Sequence, residues 1–251
     1  MNLARLDWYG VSLRRQTRAS VIVPEVDPPE GGWPVLYLLH GMMEDSDGWL
    51  LKGKVIEQSR RWPMLIVTPD GENAGYTRTE YGLDHFAHVA TDLPDMVERT
   101  FRCRTDRGGR GVGGLSMGGY GALRLALARP DRYVSCHSHS GALLLGSRPT
   151  DDETWRRAFG DDPAGSDHDL LGHAAAVAAL PIDQRPRLRI DCGRDDFLFD
   201  DNEAFHARLT ELDVEHAYHR EAGAHTWDYW DEHLPAALAF HAEAFGIKPV
   251  D

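Results

Sequence analysis

Gly111-Val112-Gly113-Gly114-Leu115-Ser116-Met117-Gly118-Gly119-Tyr120-Gly121-Ala122 is the stretch on which the reading of this chain turns. A short apolar, glycine-rich run leads into Ser116. Ala122, Leu123, Leu125, Ala126 and Leu127 follow at helical spacing until Arg129-Pro130 stops them. Gly114-Leu115-Ser116-Met117-Gly118 matches the strand-turn-helix elbow in which a sharp turn imposes strained backbone angles on a serine and only glycine-sized neighbours fit beside it. The five-residue pattern alone also describes an ordinary glycine-rich turn. The strand before it and the helix after it favour the elbow.

Working outward, apolar β-rich runs alternate with helix-length segments, the pattern of a mainly parallel sheet covered by helices on both faces. Strands are predicted at Leu3 to Leu13, Ser20 to Val23, Val35 to Leu39, Met64 to Thr68, Gly111 to Leu115, Tyr133 to Ser138, Arg187 to Cys192 and Glu215 to Arg220. Val35 to Leu39 is continuously apolar, as suits a strand buried on both faces. Helices are predicted at His85 to Arg99, with Pro94 arguing for a kink, at Asn202 to Leu212, and from Trp227 to about Phe245. The polar, Gly- and Pro-bearing stretch from Arg148 to Asp169 reads as a cap or loop. The expectation is one α/β domain over residues 1–251, with a cap-like insertion at about 145–180.

A chain of 251 residues is long enough for one large core. Its 27 Lys plus Arg against 40 Asp plus Glu give a net charge of −13, which repels nucleic acid and anionic membrane surfaces. Arg104 to Arg110 is a local basic patch, read as a solvated loop. Residues 1 to 20 intersperse Arg5, Asp7, Arg14, Arg15 and Arg18 among apolar residues and hold no stretch of signal-peptide character, and no run has the length and apolarity of a membrane span. Cys103, Cys136 and Cys192 are odd in number and lack metal-ligand spacing, as for buried thiols in a reducing compartment. A cytoplasmic location is expected.

A serine hydroxyl needs a base to take its proton and a carboxylate to orient and charge that base. In a fold with this elbow the chain order is serine, acid, histidine. Asp191-Cys192-Gly193-Arg194-Asp195-Asp196 supplies three carboxylates at the end of a later strand. Asp191 lies within the strand, and Asp195 and Asp196 lie in the loop beyond Gly193; we choose Asp196, with Asp195 as its competitor. Of 13 histidines, His225 lies in Gly223-Ala224-His225-Thr226-Trp227 between the last strand and the last helix, where the base belongs. His233 falls inside a helix, and His206, His216, His219 and His241 read as solvated. An oxyanion hole requires two preorganised N–H donors. One should be Met117, directly after the serine, and the other Met42 in the turn after Leu38-Leu39-His40-Gly41, with Gly41 as the near alternative. His137-x-His139 places two imidazoles on one face of a strand, but without a third ligand at recognisable spacing no metal is expected. Asp167-His168-Asp169 and His173 read as surface.

Leu36-Tyr37-Leu38-Leu39-His40-Gly41-Met42, the run from Gly114 to Ala122, and Cys192-Gly193-Arg194-Asp195-Asp196-Phe197-Leu198 together resemble the esterase D-like family of esterases, of the α/β-hydrolase fold, and most of all its bacterial tributyrin esterase branch. Tyr81-Gly82, Ser140-Gly141-Ala142-Leu143, Phe159-Gly160 and the His225 loop fall in family order, so the resemblance spans about Val35 to Leu238. It implies a sheet of about eight strands and catalysis by Ser116, Asp196 and His225. It also implies an oxyanion hole at Met42 and Met117, hydrolysis of short acyl or acetyl esters through an acyl-enzyme, and no cofactor. The loop Met42-Met43-Glu44-Asp45 lacks the cysteine associated with S-formylglutathione hydrolases, which weighs against that branch, and the export signal of secreted mycolyl transferases is missing.

Aromatics on loops above the sheet edge, Trp49, Tyr76, Tyr81, Phe86 and Trp155, are expected to line the substrate pocket. The partner expected is a small-molecule ester substrate, with no nucleic acid and no membrane; homo-oligomerisation is left open. An acyltransferase with the same triad and a non-catalytic binding protein on the same fold are the alternatives.

Overall fold

The computed structural model describes residues 2–79 and 82–250. Its strands are β1 (Asn2–Gly10), β2 (Arg15–Val23), β3 (Val35–Leu39), β4 (Leu65–Pro69), β5 (Arg110–Leu115), β6 (Ser135–His139), β7 (Arg187–Gly193) and β8 (Ala217–Glu221). They form one eight-stranded sheet in the order β1-β2-β4-β3-β5-β6-β7-β8. β2 pairs antiparallel with β1 and with β4, and every other neighbouring pair is parallel. From β3 the chain moves outward to β4 and then crosses back to β5 on the other side. The carboxyl ends of β3 and β5 therefore flank the point where the winding reverses, and an open parallel sheet leaves its crevice there. Ser116 follows β5 and His40-Gly41 follows β3.

The helices are α1 (Gly48–Lys52), α2 (Val55–Gln58), α3 (His85–Ala87), α4 (Leu93–Thr100), α5 (Met117–Ala128), α6 (Glu153–Phe159), α7 (Leu170–Ala178), α8 (Phe199–Glu211) and α9 (Trp227–Phe245). Strand alternation divides the core in two. Val35, Tyr37 and Leu39 of β3 join Val67, Leu93, Val97, Leu123 and Phe205 on one face, and Leu36 and Leu38 join Ile66, Trp49, Leu234 and Leu238 on the other. Every residue of α5 from Met117 to Leu127 is buried, as a helix apolar nearly all round requires, and its charged side chain, Arg124, donates to Tyr76 O and Asp167. α7 contributes Leu170, Ala174 and Val177 to the same core, so the later part of the stretch expected as a cap-like insertion is a regular layer of the fold.

Several boundaries differ from the sequence expectation. β1 stops at Gly10 because the chain turns there, and β2 begins at Arg15, where exposed and buried residues alternate and no continuous apolar run marks the strand. β8 lies one residue later than expected at its C-terminal end and two later at its start. The predicted helix from His85 becomes a single α turn, a π turn at His88–Asp92 and then α4. Pro94 falls in the first turn of α4, where its missing N–H costs no intrahelical bond; deeper inside a regular helix it would remove one and clash with the preceding turn. Arg104, Arg107 and Arg110 are not a solvated patch. They bond to Phe245 O, to Pro130 O and Arg185 O, and to Glu98, and so fasten chain segments together.

Candidate active site

The turn at Ser116 has φ 53° and ψ −118°, a conformation that costs a non-glycine residue about 1–3 kcal/mol and persists only where surroundings impose it. Here Ser116 N–H donates to His139 O at 3.0 Å, and Ser116 O accepts from Tyr120 and Ala142 N–H, both at 3.1 Å. A Cβ on Gly118 would stand 2.3 Å from Leu39 O and 2.6 Å from His40 O. The start of α5 is therefore jammed against the end of β3, which only glycine permits.

Two loops from the far side of the sheet converge on Ser116. Arg194 N–H donates to Glu221 O, and Asp195 N–H to Gly223 O, each at 2.9 Å, so the loops after β7 and β8 run zipped together. Gly193 lets them meet, since a Cβ there would lie 2.2 Å from Gly223 O. Asp196 is buried, and its Oδ1 accepts Leu198 N–H at 2.9 Å. Its two oxygens lie 3.0 and 2.9 Å from His225 Nδ1, and His225 Nε2 lies 3.0 Å from Ser116 Oγ. Burial works against the charged Asp196, but the hydrogen bonds from His225 and Leu198 outweigh it and hold the carboxyl below its usual range. Asp195 is exposed and points no carboxylate oxygen at His225. The geometry thus joins Ser116, His225 and Asp196 in one hydrogen-bonded chain.

Around Gly41 the peptide units are held in opposite senses. His40 O accepts Tyr76 OH at 3.0 Å, and Gly41 N–H donates to Glu44 Oε2 at 3.2 Å, which occupies the Gly41 donor. His40 Nε2 accepts Gly71 N–H at 2.9 Å, so Nδ1 carries the proton and donates to Gly41 O at 2.7 Å. In a trans peptide the N–H points opposite to its C=O, so Met42 N–H faces away from His40. Met43 N–H is taken by Asn73 Oδ1 at 2.7 Å. Among the described residues, neither Met42 N–H nor Met117 N–H has a protein acceptor. The latter heads α5, whose dipole favours negative charge at that end.

The aromatic pocket does not form as expected. Trp49 and Tyr76 are fully buried and donate to Leu39 O and His40 O, so they brace the loops from below. Trp155 is buried in a stack on Phe159, and half-buried Phe86 lies under the Arg124 guanidinium at 4.5 Å. Tyr81 lies outside the described residues. Bulky aromatics beneath a loop layer find core to fill, which their position in sequence does not disclose. Against His225 stand instead Trp230, at 5.0 Å between ring centroids, and Phe197, at 4.6 Å; Phe197 is 77% exposed. No local pattern announced Phe197.

The other histidines are mostly structural. His241 is fully buried rather than solvated, and it bonds Ser135 Oγ and His137 Nδ1 at 2.7 Å each. Burial, with neighbouring His139, pushes His241 down to about 3 and His137 well below its usual value. His139 pairs with buried Asp191 at 2.8 Å, and Asp191 also accepts Tyr229 OH at 3.2 Å. His206 and His216 bond each other at 2.8 Å, His219 meets Arg189, and His233 packs on Tyr229. His168, expected at the surface, is bonded through Nδ1 to Thr77 Oγ1 at 2.8 Å. Among the described residues no group of three or more His, Cys, Asp or Glu is arranged to hold a metal ion, and no helix is long and apolar enough to cross a membrane.

The model of the family described as Putative esterase matches residues 10–241. The chain belongs to that esterase family. It is 30% identical to an acetyl esterase of Caldicellulosiruptor saccharolyticus over 262 aligned residues, covering 95% of this chain and 97% of the relative. A fluorophosphonate-binding serine hydrolase of Staphylococcus aureus superimposes with a TM-score of 0.85 at 24% identity, over 96% of this chain and 98% of that one. An S-formylglutathione hydrolase of the same organism gives 0.81 at 24%, over 96% and 99%. At such identities the structural likenesses speak for the α/β-hydrolase fold, and the family makes this esterase a carboxylic ester hydrolase.

Proposed function

We propose that the esterase hydrolyses short-chain acyl esters, acetyl esters among them, with Ser116 as nucleophile, His225 as general base and Asp196 as the acid that orients it. The observation that carries this reading is the unbroken chain from Ser116 Oγ through His225 to Asp196. His225 Nε2 takes the hydroxyl proton as Ser116 Oγ attacks the ester carbonyl carbon, and Asp196 stabilises the imidazolium. The negative charge on the former carbonyl oxygen is received by the N–H groups of Met42 and Met117, each such donor being worth about 3–4 kcal/mol by precedent. Collapse expels the alcohol, which takes its proton from His225 and leaves an acyl-Ser116 ester. A water deprotonated by His225 attacks that ester and releases the acid.

A small acyl group is supported by the complete burial of Trp49, Tyr76 and Tyr120, which fill the space beneath the loops. The relative named acetyl esterase points the same way. Exposed Met43 and Phe197 give the rim an apolar character suited to the alcohol side of an ester. In the same reading residues 1–251 are one domain, with a cap-like stretch at residues 145–180 whose last helix, α7, belongs to the main core. The cytoplasm suits its three buried, unpaired cysteines.

A series of p-nitrophenyl esters from acetyl to decanoyl, with labelling by a fluorophosphonate, tests the proposal. Acetyl and butyryl esters should be best, and Ser116→Ala should abolish both turnover and labelling. Undiminished turnover in Ser116→Ala, or activity that climbs steadily with chain length, would refute it.

A further inference from the structure

The Glu44 carboxylate has no place in the reaction just described, yet its side chain is only 5% exposed. A carboxylate so enclosed is costly unless its oxygens are met by donors, and three donors meet this one. Oε2 accepts Gly41 N–H at 3.2 Å; Oε1 accepts Trp227 Nε1–H at 3.0 Å and Lys52 Nζ at 3.1 Å. Gly41 adjoins Met42 in the loop after β3, and Trp227, two residues past His225, is the first residue of α9, where the loop after β8 ends. One side chain therefore bonds both the oxyanion loop and the base loop, segments 183 residues apart. Trp227 is held further by edge contacts with Trp49 at 5.2 Å and Trp230 at 5.3 Å, and Trp230 in turn packs on His225.

We infer that Glu44 is a positioning residue that sets the distance between the oxyanion donor of Met42 and the His225 loop. The inference rests on the esterase reading above. Tyr76 and Glu44 hold the two ends of the His40-Gly41 peptide, and His40 Nδ1–H holds the next carbonyl. With Glu44 in place the Gly41-Met42 peptide has one orientation, and Met42 N–H is preorganised without rearrangement at the moment of reaction. Without it, Gly41 N–H loses its acceptor and the loop can rotate to offer that donor elsewhere, while Trp227 loses its tie to the loop. Lys52 offsets the negative charge of Glu44, which would otherwise oppose a developing oxyanion.

Glu44→Gln tests this at constant size. The amide keeps one acceptor oxygen for donors that now approach from both sides, so one set must be abandoned. The expected result is a kcat for p-nitrophenyl acetate lowered about 10- to 100-fold, short of the 10²–10³ loss for outright removal of an oxyanion donor. KM should stay within about threefold. The Ki of a trifluoromethyl ketone, which forms the tetrahedral oxyanion, should rise in proportion to the fall in kcat/KM. Trp227→Phe removes the indole donor but keeps the ring; it should lower kcat less, and in combination with Glu44→Gln add little to the single change. A folded Glu44→Gln protein with kcat within twofold of wild type, a loss expressed only in KM, an unchanged ketone Ki, or fully multiplicative effects of the two substitutions would each overturn the inference. Those outcomes leave a wild-type enzyme that turns over esters. A wild type that neither turns over esters nor takes the fluorophosphonate would instead sink the esterase reading, and this inference with it.

Discussion

Asp196→Asn against Asp195→Asn is the sharpest perturbation of the proposed machinery, because the two carboxylates are adjacent in sequence and opposite in circumstance. Asp196 presents both oxygens to His225 Nδ1 at 3.0 and 2.9 Å, which requires the Nδ1–H tautomer and leaves Nε2 free to accept the Ser116 proton. An asparagine can keep its Oδ1 on Leu198 N–H, as Asp196 does at 2.9 Å, and it then turns its NH₂ toward His225. Nδ1 becomes an acceptor, the ring proton moves to Nε2, and the base can no longer take the serine proton. The same exchange in the serine-protease triad lowers kcat about 10⁴-fold, equivalent to about 5 kcal/mol of barrier, and a comparable fall is expected here. KM should be little changed, because the substrate does not touch this carboxylate. Asp195 is exposed, and its structural contribution is a backbone N–H to Gly223 O at 2.9 Å, which survives substitution; its Asn variant should stay within about twofold of wild type. Steady-state kinetics on p-nitrophenyl acetate, with active sites titrated, separates the cases. More than a tenth of wild-type kcat in Asp196→Asn, or an equal fall in Asp195→Asn, would refute the assignment.

Gly118→Ala should cost about 1–3 kcal/mol of stability and depress kcat, because its methyl would press on backbone oxygens of Leu39 and His40 that cannot swing aside; a melting temperature and kcat both equal to wild type would contradict the close approach. Phe197→Ala removes a ring that is 77% exposed, so the melting temperature should hardly move, while kcat/KM for aryl esters should fall about two- to tenfold; equal activity would show that the ring on His225 does not touch substrate. Acid sensitivity should come in part from His137 and His241, whose folded-state values are depressed by burial. The unfolded chain binds their protons first, so stability is complete above about pH 6.5 and declines as pH falls below it, by up to about 1.4 kcal/mol per unit for each fully neutral ring. Urea titrations between pH 7 and pH 4 should show this slope, and a His241→Gln variant should show a shallower one.

Much of the fold was legible in the sequence for local reasons. A strand buried on both faces must be continuously apolar, and Val35 to Leu39 is. An elbow must have glycines around its serine, and Gly114 and Gly118 are there. Strands whose outer face meets water are harder: Arg15 to Ala19 alternate between exposed and buried positions, so the continuous apolar signal of β2 starts only at Ser20. Pro94 warned of a kink, but the π turn that accommodates it depends on what His88 and Asp92 pack against.

The residue types and chain order of the elbow, the acid loop and the base loop come from the one-dimensional chain, since each is a short pattern with its own backbone requirement. Which of two adjacent aspartates reaches His225 is a different kind of question, settled by the zipping of two loops across parallel strands. The same holds for the aromatics: sequence places Trp49 and Tyr76 on loops, and only packing shows that both lie beneath those loops with their polar atoms bonded to β3's end. Glu44 carries no sequence signature because its partners are a neighbouring peptide and an indole 183 residues away. Contacts of that separation exist only once the sheet has set its register, and the register is a property of the whole chain.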